Sequence, residues 1–257
     1  DGLILRTLDG ADFIGPEAKL QIDETGIDAT YSEFGLAFHR ARFDDWLREE
    51  AEAAGAHYRV GDSVTGVETS LAGGHEHTIS LSNGEEVVAE HLILADGPQR
   101  TVTTETLDQF TSDRTIADVL DPSEVNHIAY QEHRRVPEEI YEPSRLKFWW
   151  GLMPGHTAYP WVFPNDGNVA RFGPTLPIGL EIDDYDPNLW ELLRADDERI
   201  PQGRTYLERL LEREYPTYDM EDFPLVESRG KRNGTETYAI SSTRPKPASF
   251  CRGKTQT

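Results

Sequence analysis

Six residues in the middle of the chain, Tyr159-Pro160-Trp161-Val162-Phe163-Pro164, leave little freedom of fold. Tyr159, Trp161 and Phe163 alternate, and alternate side chains of an extended strand share one face. Helical spacing would scatter the three rings around a cylinder, so the segment reads as a strand with an aromatic side. Such a strand needs neighbours. Residues 125–131, 146–150 and 169–172 supply them as apolar and aromatic runs bounded by turn residues. The middle of the chain is therefore predicted to be β-rich. Three large rings in a row make either a core wall or the wall of an apolar ligand cavity, and periodicity alone favours the core.

The first hundred residues read differently. Phe43, Trp46, Leu47, Ala51 and Ala54 recur at helical spacing, and Gly55 stands where a helix would end, which predicts a helix over 40–54. A short strand is predicted at 56–60. Residues 63–70, 78–81 and 86–88 read as a meander with a hairpin turn at Asn83-Gly84. His91-Leu92-Ile93-Leu94-Ala95 is a near-continuous apolar run, the pattern of a strand buried on both faces of a parallel sheet. It ends in Asp96-Gly97, and ligands of open α/β sheets collect beyond the carboxyl ends of the strands. Beyond the aromatic sheet, Asp186-Pro187 predicts one helix start, and Leu207, Leu210 and Leu211 mark a second helix over 205–215.

Charge narrows the partners. The chain holds 47 acids against 25 bases, a net charge of −22 over 257 residues, which argues against binding nucleic acid. Only five of the bases are lysine. Acid-rich, lysine-poor surfaces suit cytoplasmic proteins of salt-loving organisms, because molar salt shortens the Debye length to about 3 Å and screens self-repulsion. An ordinary acidic protein is the alternative. One cysteine, Cys251, excludes an internal disulfide framework, and no apolar run approaches a membrane span. Residues 228–257 depart from the rest, with one acid and seven bases.

Two further strings could carry chemistry. Arg40 and Arg42 open the first helix and could bind a phosphate group as forked, permanently charged donors; spacing alone somewhat favours surface arginines that neutralise local acids. Asp96 could accept a ribose hydroxyl and Gly97 could let backbone approach a ligand, although Asp-Gly is also an ordinary turn. His75-Glu76-His77 lacks a third ligand nearby, and the carboxylate pairs at 183–184 and 196–198 read as solvated faces. Neither a G-x-S-x-G elbow nor a G-x-x-x-x-G-K-[ST] phosphate loop is present.

Taken in order, these features resemble the geranylgeranyl reductase family of flavoproteins, which has the p-hydroxybenzoate hydroxylase fold. Arg40, Phe43, Asp44 and Leu47 match its R-x-x-F-D-x-x-L helix, and Gly61-Asp62-Ser63-Val64 the strand that follows. Ala95-Asp96-Gly97-Pro98 is similar to its Asp-Gly motif. Tyr159, Trp161, Phe163, Pro164 and Gly173 are similar to its Y-x-W-x-F-P…G-x-G signature, with Thr175 in place of the last glycine. The resemblance runs from about residue 30 to about 245.

The resemblance implies an FAD-dependent oxidoreductase, with NADPH or ferredoxin as electron donor. Arg40, Val64, Asp96 and Gly97 would contact the cofactor. Tyr159, Trp161, Phe163, Pro164 and Gly173 would wall a cavity for a polyprenyl or other apolar substrate. Hydride transfer from reduced flavin to isoprenoid C=C bonds, saturating archaeal ether lipids, is the implied reaction, in a cytoplasmic protein with peripheral membrane contact. The implied fold class is mixed α/β, a partial Rossmann-like FAD/NAD(P)-binding domain interleaved with an antiparallel substrate sheet. On that reading 1–38 supply substrate-side strands, 39–105 part of the FAD domain, 106–220 the substrate domain, and 221–257 a truncated return. The family's opening G-x-G-x-x-G unit and its late Gly-Asp motif are absent, which predicts an incomplete fragment or a disrupted gene product. A flavin monooxygenase or halogenase, a quinone-linked flavoprotein dehydrogenase, and a non-catalytic apolar-ligand module are the alternatives.

Overall fold

The computed structural model describes residues 2–23, 33–71, 76–97, 100–119, 127–155, 157–226 and 235–239, with backbone alone for 117, 119 and 235–239. In chain order the strands are β1 (Ile4–Leu8), β2 (Gly10–Ile14), β3 (Lys19–Asp23), β4 (Gly35–Phe38), β5 (Val64–Ser70), β6 (Glu76–Leu81), β7 (Glu86–Ala89), β8 (His127–Arg135), β9 (Arg145–Trp149), β10 (Tyr159–Pro164), β11 (Val169–Pro177) and β12 (Thr235–Ala239). The helices are α1 (Arg40–Ala53), α2 (Thr101–Asp108), α3 (Ile116–Val119) and α4 (Gly203–Glu214). The chain packs as two units, Asp1–Ala56 with His127–Tyr238, and His57–Asn126 with Ala239–Thr257.

In the first unit β1 and β4 pair antiparallel, and a seven-stranded sheet runs β12-β8-β11-β10-β9-β2-β3. Strands β8 to β9 pair antiparallel in succession, β9 and β2 are parallel, and β2 turns back into β3. The core lies on one face of this sheet. Tyr206, Leu207, Leu210 and Leu211 form a stripe on α4 and pack with Trp149, Val162, Ala170 and Phe172, all buried. Each such side chain contributes about 1.5–3 kcal/mol by leaving water. Gly203 lets the start of α4 press onto Tyr130, since a Cβ there would stand 2.3 Å from the tyrosine Cβ.

Charges also enter this face. Asp12 is fully buried and accepts from Arg145 Nη2 at 2.6 Å and Lys19 Nζ at 2.7 Å. On β8, Glu132 and Arg134 are both buried and bridge at 2.5 Å. Arg134 also donates to the Phe223 carbonyl, which pins the 223–226 segment to the edge of β8.

Helix α1 forms where the spacing predicts it. His39 caps it by accepting from Arg42 N–H, and Gly55 closes it with the paired bonds Gly55 N–H to Glu52 O and Ala56 N–H to Ala51 O. None of its residues is buried; Phe43 meets Phe38 of β4 with ring centroids 4.9 Å apart, while Trp46 stays 40% exposed. Residues 56–60, predicted as a strand, form none. The predicted helix from Pro187 is only a 3-10 turn, Pro187–Leu189, capped by Asp186 as expected.

The second unit is the predicted meander. β5, β6 and β7 pair in sequence around a small core of Val67, Ile79 and Leu81. The 91–95 run is not a strand. Leu92 packs against this core while Ile93 is 89% exposed, because no described strand lies alongside to complete a ladder. The meander is antiparallel throughout, whereas in the first unit β2 pairs parallel with β9.

Candidate functional site: the aromatic sheet face

The core uses only one side of the large sheet. On the other, β10 presents Tyr159, Trp161 and Phe163, as their alternation requires. Register brings more rings to them. Trp161 is directly opposite Phe148 on β9, which is opposite Phe13 on β2, which is opposite Leu20 on β3. Phe13 and Phe148 stack with centroids 5.1 Å apart, Phe148 meets Phe163 edge-on at 5.3 Å, and Trp150 stacks on Tyr159 at 4.7 Å. Aromatic pairs of this kind add about 0.5–1.5 kcal/mol each beyond their buried area. The sequence offered no sign that Phe13 belongs here, since it lies more than a hundred residues from β10.

Trp161 is the centre of the face. It is 7% exposed, and its indole N–H has no acceptor among the described residues. Gly173 is opposite it on β11, and a Cβ there would stand 2.7 Å from the indole and 2.1 Å from the Tyr130 carbonyl oxygen. Gly173 is thus part of the same construction as Trp161. Pro164 is not, because with Val162 it points to the core side, where both line a cavity of about 10 Å³. That is room for about one water molecule.

Along β11 and β8 the face turns polar. Phe163 is opposite Arg171, and Arg171 is opposite His133. Arg171 donates to the Phe38 carbonyl at 3.2 Å, and His133 Nε2 lies 3.1 Å from Gln131 Nε2. Burial, then the charges of Arg171 and His39, hold the His133 imidazole below its usual pKa. None of these polar residues was anticipated, although Arg171 precedes Gly173 by two and shares its face by alternation alone.

The residues expected at a cofactor are engaged otherwise. Arg40 is 74% exposed at the start of α1, and its Nε donates to Asp44 at 2.7 Å. Val64 opens β5, an edge strand of the meander. Asp96 accepts from the Thr103 hydroxyl and from Thr103 N–H at 3.1 Å, and so caps α2. Burial raises its pKa, but these hydrogen bonds outweigh burial and leave the carboxyl below the ordinary range. Gly97 follows with φ +82°, a left-handed turn that admits no side chain cheaply. In this structure the Arg40 guanidinium is answered by a carboxylate of its own helix, and the Asp96 carboxylate by the first turn of α2. Pro98 and His75 lie outside the described residues, as do most of 228–257. Among the described residues no group of His, Cys, Asp or Glu could hold a metal ion, and no helix is long and apolar enough to cross a membrane.

No family model matches the chain. Its fold does match solved structures. A geranylgeranyl bacteriochlorophyll reductase-like protein from Thermoplasma acidophilum aligns over 93% of this chain and 51% of its own, with a TM-score of 0.63 and 20% identity. A myxobacterial FAD-dependent halogenase of chondrochloren aligns over 93% and 49%, at 0.57 and 16%. A flavoprotein/dehydrogenase from Cytophaga hutchinsonii aligns over 91% and 52%, at 0.55 and 15%. The chain therefore has the mixed α/β fold seen in FAD-dependent oxidoreductases, and spans about half the length of these structures.

Proposed function

We propose that the chain belongs to an FAD-dependent oxidoreductase of the geranylgeranyl reductase type, whose aromatic sheet face holds an apolar isoprenoid chain for reduction of its C=C bonds. The observation that supports this reading is Trp161. A nearly buried indole N–H without an acceptor costs about 1–3 kcal/mol, which a polar atom of a ligand lying on the face would offset. Around it Phe13, Phe148 and Phe163 are in ring contact and offer a continuous apolar surface. FAD would supply the hydride chemistry, with NADPH or ferredoxin as donor; the face supplies position and dryness. Saturation of ether-lipid chains in a salt-loving archaeon, with peripheral contact to the membrane, is the corresponding role.

Because Arg40 and Asp96 are already engaged, this chain is expected to purify colourless. A stoichiometric flavin spectrum would overturn that expectation. The activity itself is tested by supplying FAD and a prenyl substrate under anaerobic reduction and measuring the mass of the product. Addition of hydrogen across the double bonds supports the reductase. The fold likeness to a halogenase favours a second reading, an oxygen-using flavoenzyme, for which peroxide would form with NADPH in air and no saturation would occur. Tight prenyl binding without either reaction leaves an apolar-ligand module.

A further inference from the structure

The seven-stranded sheet ends at β3 in a bare edge. No described strand pairs beyond it, and all five of its residues, Lys19 to Asp23, are exposed. The hairpin fixes which backbone groups face outward. Gly15 N–H donates to the Ala18 carbonyl at 2.8 Å, and the register then makes Phe13 with Leu20 and Ala11 with Ile22 the bonded pairs. On the other side of β2 the Ile14 carbonyl accepts from Trp150 N–H, as that phase requires. The N–H and C=O groups of Lys19, Gln21 and Asp23 therefore point away from β2. The strand runs without proline, glycine or bulge, devices that elsewhere blunt such edges. Lys19 is its one deterrent.

We infer that β3 pairs antiparallel with β3 of a second copy of this chain, about a two-fold axis at Gln21. In that register the sequence Lys-Leu-Gln-Ile-Asp complements itself. Lys19 stands opposite the partner's Asp23, Leu20 opposite the partner's Ile22, and Gln21 opposite its own copy. The three outward-facing residues then fall on the positions that exchange hydrogen bonds. A shift of one residue sets outward groups against inward ones, and a shift of two loses both Lys–Asp pairs.

Charge argues for the same partner. Within one chain Asp12 bridges Lys19 and Arg145, and Arg145 also bridges Asp23. Lys19, Gln21 and Asp23 share the Asp12 face by alternation, so pairing continues a row of alternating charge across the axis. On the other face the partner's Ile22 covers Leu20, both of them exposed in the single chain. Five paired residues bury less than a standard interface of about 1,600 Å², so the dimer is reversible. With −22 charges on each copy it forms best in molar salt, where repulsion reaches only about 3 Å.

Sedimentation velocity of the full chain in about 1 M KCl is expected to show a reversible dimer, with a Kd on the order of 10 µM for so small an interface. Gln21→Pro removes the outward N–H at the axis and spares the β2–β3 ladder, because that N–H does not face β2. It is expected to weaken the dimer about tenfold or more. Lys19→Glu and Asp23→Lys each set like charges against one another across the axis, and each alone is expected to be monomeric. Mixed in equal amounts, the two restore opposite charges at both ends of the ladder, and the dimer returns. A native chain that is monomeric at every concentration overturns the inference and leaves the edge to a strand of another protein. A dimer that Gln21→Pro leaves intact lies elsewhere on the surface and also overturns it. So does a mixture of the two charge variants that stays monomeric while both are folded. Circular dichroism and melting establish the folding of each variant; if a charge variant does not fold, the native chain and Gln21→Pro decide the matter alone.

Discussion

The indole of Trp161 fills the space that a side chain at Gly173 would need. The two residues are cross-strand partners, and the bare backbone of one is the floor under the ring of the other. Because a Cβ at Gly173 would also press on the Tyr130 carbonyl, neither neighbour can simply rotate away. Gly173→Ala is expected to destabilise the chain by about 1–3 kcal/mol, the usual range for overpacking. Gly66→Ala on β5, where a Cβ meets nothing within 4 Å, serves as the control and should be nearly neutral. Denaturant unfolding of both checks this; equal midpoints would refute it.

Asp96 works as the cap of α2, and its removal can be read by pH. Its folded pKa lies below the ordinary carboxylate value, so its stabilisation is fully present above that value of about 3.9 and fades as pH falls through the folded one. Asp96→Asn keeps an acceptor for Thr103 but loses the charge, and should cost about 0.3–1 kcal/mol at pH 7, as an exposed anion near a helix N-terminus does. The gap between variant and native chain should narrow as pH falls below about 3.9. A gap that stays constant with pH would show that the charge contributes nothing.

The buried pair on β8 predicts an asymmetry. Glu132→Gln leaves Arg134 in the core without its counter-charge and should cost about 3–5 kcal/mol. Replacing both by apolar residues, Glu132→Leu with Arg134→Met, should cost clearly less than the single change, because no charge is then stranded. Thermal melts of the single and double variants decide it; a double variant less stable than Glu132→Gln would refute the argument.

Net charge makes salt the natural stabiliser. With −22 charges, repulsion acts across about 10 Å in 0.1 M salt and only about 3 Å in 1 M. The melting temperature should rise steadily between these concentrations of KCl. A flat or falling curve would remove the haloadapted reading of the composition.

Much of this architecture was legible because local patterns and tertiary demands agreed. The alternation at 159–163, the leucine stripe of α4 and the Asn83-Gly84 turn each produced the predicted element. The 91–95 run failed for a physical reason: apolarity selects burial, but a strand also needs a partner for its backbone, and Ile93 has none among the described residues. The charged core residues were hidden by the same alternation that exposed the aromatics. Tyr130, Glu132 and Arg134 share a face that a polar pattern assigns to solvent, yet that face is the buried one. Alternation puts Arg171 on the face of Gly173, but only the β10–β11 register sets it opposite Phe163 and only the β8–β11 register adds His133.

Strand β2 finds its parallel partner β9 only after α1, the His57–Asn126 part of the second unit and β8 have been synthesised. At roughly 5–20 residues per second on the ribosome, the β2–β3 hairpin waits on the order of ten seconds for its place. During that interval Leu20 and Phe13 have no neighbour from β9, and a bare hairpin is scarcely stable by itself. The timing of synthesis, more than any local preference, therefore sets when the ringed surface first comes into being and how long the growing chain needs shelter from its own kind.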